Sequence, residues 1–81
     1  MTRRARTQRT ERILVARLDE LATALERSGA PADSVARLLE SASVATVNAI
    51  ALDLLSADAA DEIWREAEER HPAVAPLRRA A

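Results

Sequence analysis

The one histidine of this 81-residue chain, His71, follows Glu68 by three positions. On a helix that spacing puts a carboxylate and an imidazole on one face, the half-site geometry from which dinuclear carboxylate metal centres are assembled. A second copy would double the pair, and Glu62 or Glu66 could complete the ligand set. His71 is also followed at once by Pro72, so it stands where a helix must stop. The reading expected here is therefore a solvated last turn whose histidine complements the negative helix end, with no metal and no cofactor. Other catalytic constellations are excluded more firmly. With no Cys there is neither a thiolate nucleophile nor a thiolate metal site, and a single glycine cannot supply a phosphate loop, a dinucleotide fingerprint or a nucleophile elbow. The chain is not expected to be an enzyme.

The second chemistry-bearing group is basic. Residues 1 to 17 hold Arg3, Arg4, Arg6, Arg9, Arg12 and Arg17 against the single acid Glu11. Residues 53 to 69 reverse the balance, with Asp53, Asp58, Asp61, Glu62, Glu66, Glu68 and Glu69 against Arg65. The net charge is only −1, but the two ends differ in sign, which can steer a partner or draw copies of the chain together. If residues 1 to 9 form a flexible arm, Arg3, Arg4, Arg6 and Arg9 could neutralise phosphates and give salt-dependent, unspecific affinity for nucleic acid. Specific readout is not expected. No basic recognition helix follows, and there are no aromatics to stack on bases.

Positioning these groups falls to helices. Ala, Leu, Glu and Arg dominate, while aromatic residues and glycine occur once each, so the fold class is all-α. Ile13, Leu14, Leu18, Leu21, Ala22 and Leu25 recur at helical spacing and predict a first helix over about residues 10 to 27, closed by Gly29 and Pro31. A second helix over about 33 to 55 starts with one apolar face and becomes apolar on nearly every side. Val44, Val47, Ile50, Leu52, Leu54 and Leu55 point in several directions. The run is too short and too interrupted for a membrane span, so a buried helix is expected, continuous or bent near Ser41 to Ser43. A third, acidic helix over about 57 to 70 is capped by Ser56 or Asp58, and residues 72 to 81 read as an irregular tail. Three helices in one domain of residues 10 to 71, the first two forming an αα-hairpin, leave the second incompletely covered. A homodimeric helical bundle is the simplest closure, with Val44, Val47, Asn48, Ile50 and Leu54 at the interface. Asn48 either pairs across that two-fold axis or is satisfied locally.

Trp64, the lone aromatic residue, is expected to close the core of so small a domain. Its alternative is an exposed docking anchor, with Ile63, Glu62 and Glu66 around it. Two helices able to dimerise into a four-helix bundle, followed by Ser-Ala-Asp-Ala-Ala-Asp-Glu-Ile-Trp at residues 56 to 64, resemble in layout the C-terminal docking domains of modular polyketide synthases. That resemblance implies only that such a layout can serve protein docking, and it assigns no residue. Small encapsulated-ferritin-like proteins resemble the Glu68/His71 scheme in building iron sites across subunits. The expectation is a cytoplasmic, non-enzymatic interaction or regulatory module whose partner is itself and, beyond that, another protein. A nucleic-acid-associated regulator and an oligomeric metal-binding protein are the alternatives.

Overall fold

A computed structural model describes residues 2 to 27 and 29 to 80; Met1, Ser28 and Ala81 lie outside it, as do the side chains of Arg78, Arg79 and Ala80. The elements are α1 (Arg3–Glu26), α2 (Ala32–Ala51), α3 (Ala57–Arg70), a 3-10 turn (Pro72–Val74) and α4 (Ala75–Ala80), with no strand among the described residues. The chain is all-α. It forms an elongated body of about 42 × 20 × 19 Å.

The first helix begins well before residue 10. Thr2 is extended and its hydroxyl accepts from the Ala5 amide at 3.1 Å, satisfying an orphan donor at the helix start. Behind that cap the arginines are good helix formers even without apolar periodicity. Residues 3 to 9 are thus the opening turns of α1, and the flexible arm is corrected to a helix. The next connection contains Gly29 at φ +82°, a left-handed backbone that suits a residue without Cβ. Pro31 then stands at the N-cap of α2 with no side-chain cap bond.

The second helix is unbroken through Ser41 to Ser43 and stops at Ala51, not Leu55. Asp53 adopts φ +57°; its amide bonds to the Ile50 carbonyl at 3.0 Å, and the Leu54 amide reaches the Ala49 carbonyl at 2.9 Å. This is a Schellman closure with aspartate in the place glycine usually takes. Aspartate tolerates the left-handed region better than most residues. The reversal tucks Leu55 into the core and leaves Leu52 in solvent. Ser56 caps α3 by accepting from the Ala59 amide at 3.0 Å, and α3 spans the residues its pattern predicts.

The core is a cluster of Leu14, Leu18, Ala22, Ala42, Ala49, Leu55, Trp64, Ala67 and Val74. α1 is its hub, packing most extensively on α2 and next on α3, while α2 and α3 touch least. Two expectations fail here. The expected irregular tail is helical over residues 72 to 80, and its Val74 is completely buried, so residues 72 to 74 close the bundle; Ala81 lies outside the described residues. Nor is α2 buried all round: only Ala42 and Ala49 are buried, while Val44, Val47, Ile50 and Asn48 are exposed. The physical reason is the close seam with α1, which admits small side chains and leaves the large ones outside.

Candidate functional site

An exposed apolar surface lies on the outer face of α2 and in its junction with α3. Val44, Val47 and Ile50 follow one another at three-residue spacing, which keeps them on one side of the helix; Val47 is 64% exposed. Beside them is a groove of about 290 Å³ whose α2 wall is Ser43, Thr46, Val47 and Ile50 and whose α3 wall is Ala57, Ala60, Asp61 and Trp64. On the α3 side the groove is lined by small residues, Ala57 and Ala60, which leave the space between the two helices unfilled. Leu52, 69% exposed, extends the apolar surface past the end of α2.

Trp64 floors this groove. Its ring is 8% exposed, and its Nε1–H donates to the Thr46 hydroxyl at 3.0 Å. Thr46 in turn donates to the Ala42 carbonyl at 2.8 Å, one turn back on the same helix. A buried indole with its polar atom satisfied is a core residue, as expected, and it ties α3 to α2. The docking set built around it does not assemble into one exposed patch. Ile63 is half-buried against the core, Glu62 accepts from Arg65 at 2.7 Å, and Glu66 is exposed. Of the expected dimer residues, Val44, Val47, Asn48 and Ile50 are exposed on α2, whereas Leu54 lies half-buried in the following turn.

The Glu68/His71 pair does not form a metal half-site. His71 closes α3, its amide bonded to the Ala67 carbonyl at 2.8 Å, and its ring turns toward α1. Nδ1 donates to Glu26 Oε1 at 2.6 Å, and Nε2 lies 3.8 Å from Asp19 Oδ1, which also receives Arg70 at 3.4 Å. The histidine thus clasps the end of α3 to the end of α1. No group of three or more His, Asp or Glu side chains suited to a metal ion occurs among the described residues. At the opposite pole Arg3 pairs with Asp53 at 2.6 Å, but with side chains 73% and 85% exposed this clasp contributes less than about 1 kcal/mol.

The other arginines of the N-terminal basic stretch lie on α1. Arg4, Arg6, Arg9, Arg12 and Arg17 are all exposed on one continuous helix. Their periodicity is polar, not apolar, so a reading that looks for apolar seams passes over it. The signal that could have found it was Thr2 as an N-cap. A larger hollow, about 870 Å³, opens between the end of α1 and the start of α2, lined by groups that include Asp19, Glu20, Arg27 and Leu38.

No helix among the described residues is long and apolar enough to cross a membrane. Neither a protein family, a characterised protein nor a solved structure matches the chain.

Proposed function

We propose that this chain is a non-enzymatic helical interaction module that assembles with a second copy of itself through the outer face of α2. The observation that supports it is the row Val44, Val47 and Ile50, exposed together beside an apolar groove on a chain with few large apolar side chains to spare. Contiguous exposed apolar surface of this kind marks an interface more often than it is left to water. A two-fold pairing suits this face because identical apolar rows are self-complementary, and no charged residue lies between Val44 and Ile50. Asn48, on the edge of the same face, then meets the partner or water at the rim, where its amide stays satisfied.

The test is Val47→Asp. Val47 contributes little to the fold of one copy, so the substitution should leave the helical circular dichroism signal intact while light scattering shifts from the dimer to the single-chain mass. Ile50→Asp should act likewise with some loss of stability, because Ile50 is the less exposed of the two, at 38%. A wild-type chain that scatters as a monomer at every concentration would overturn the proposal.

A further inference from the structure

Folding of residues 3 to 17 into helix changes what their arginines can do. At 100° per residue, Arg6, Arg9, Arg12 and Arg17 fall within an arc of about 140° that excludes the buried Leu14, Leu18 and Leu21. Along the axis they span about 17 Å at 1.5 Å per residue. Arg3, Arg65 and Arg70 each hold a carboxylate, yet these four guanidinium groups make no ion pair or hydrogen bond within the described residues. That is notable in a chain whose acids, 13, outnumber its bases, 12: folding has left the basic face unneutralised. Glu20, exposed on the same side, bounds the face toward the end of α1.

We infer that this face of α1 binds the phosphate backbone of double-stranded nucleic acid, without reading its sequence. Successive phosphates along one strand advance by about 3.4 Å, so four guanidiniums on a rigid rod of this length each have a phosphate within reach. Guanidinium is the side-chain group suited to bidentate phosphate contact. Two other anionic partners fit less well. A membrane-surface helix needs a broad apolar face toward the lipid, whereas the apolar residues of α1 face the core and Ile13 alone among the large ones is exposed here. The centre of a protein interface is depleted in charge, whereas this face carries four arginines around the exposed Ile13 and Ala16. The face lies on α1, away from the α2 row, so phosphate binding and self-association are separable.

The experiment is fluorescence anisotropy of the full chain with a labelled duplex of mixed sequence and about 20 base pairs, titrated at several salt concentrations. Four phosphate contacts predict a slope near −3.6 in log K against log salt, or about 100-fold weaker binding at 200 mM than at 50 mM. Combined Arg6→Gln, Arg9→Gln, Arg12→Gln and Arg17→Gln should abolish binding with unchanged helicity and unchanged light-scattering mass. Arg9→Gln or Arg17→Gln alone should lower the slope by about one, which keeps the test decisive if the fourfold variant folds poorly. Glu66→Gln with Glu69→Gln, on α3, should leave binding in place. No duplex binding at 50 mM salt, binding that survives the fourfold change, capture by phosphatidylserine vesicles without capture of the duplex, or an arginine effect on assembly alone would each overturn the inference.

Discussion

Trp64→Ala should remove a large share of the stability of the chain. Removing a buried tryptophan costs about 3 to 5 kcal/mol, and a domain of this length holds about 4 to 12 kcal/mol in total at 0.05 to 0.15 kcal/mol per residue. The loss is large here because the ring is the single aromatic body in the core and the bond from Nε1 to Thr46 bridges α2 and α3, the least packed pair among the three long helices. Trp64→Phe separates the two contributions: it keeps most of the packing and gives up the hydrogen bond, for about 1 kcal/mol from that bond. Chemical denaturation followed by circular dichroism measures both. A Trp64→Ala chain that melts like the wild type would return Trp64 to the surface and remove the floor of the groove.

The second large effect is expected at Val74. Its side chain is completely buried although it lies beyond two helix-ending signals, at Pro72 and the residue before it. Val74→Asp should cost about 4 kcal/mol or more, because a carboxylate there has neither water nor a partner. Val74→Ala should cost about 2 kcal/mol, and Ala73→Asp, one residue earlier and exposed, should change stability by less than about 0.5 kcal/mol. The contrast between neighbours tests whether residues 72 to 74 dock on the bundle. Equal melting of the two aspartate variants would show that they do not.

What the sequence made legible was the part of the fold with strong period and conventional punctuation. The seam of Leu14, Leu18, Leu21 and Ala22, the positive φ of Gly29, and α3 from Ala57 to Arg70 with its Ser56 cap all follow from local signals. Elsewhere the signal was present but weak. A lone Thr2 caps α1, and an aspartate, not a glycine, ends α2. Burial of Val74 depends on contacts with distant helices, to which local periodicity is blind. The candidate site was half legible. Val44, Val47 and Ile50 read as apolar surplus in the sequence, but which faces of α2 are covered depends on how α1 packs on it, which local periodicity does not fix. His71 was misleading in the other direction: its spacing to Glu68 is local, whereas its partners Glu26 and Asp19 are brought to it by the fold.

The alanine seam between α1 and α2 has a consequence for how this chain tolerates change. Ala22 and Ala42 are completely buried and Ala49 nearly so, which leaves no room for an added methylene. In a saturation library the ordinary pattern should invert along α2. Truncating Val44 or Val47 to alanine should be accepted for folding, while enlarging Ala42 or Ala49 to leucine should be rejected, at about 1 to 3 kcal/mol each. A lineage drifting under stability selection alone would therefore hold its smallest residues fixed and let its largest vary. Any chain of this fold that keeps both, small inside and large outside, is under a second constraint that folding of a single copy does not impose.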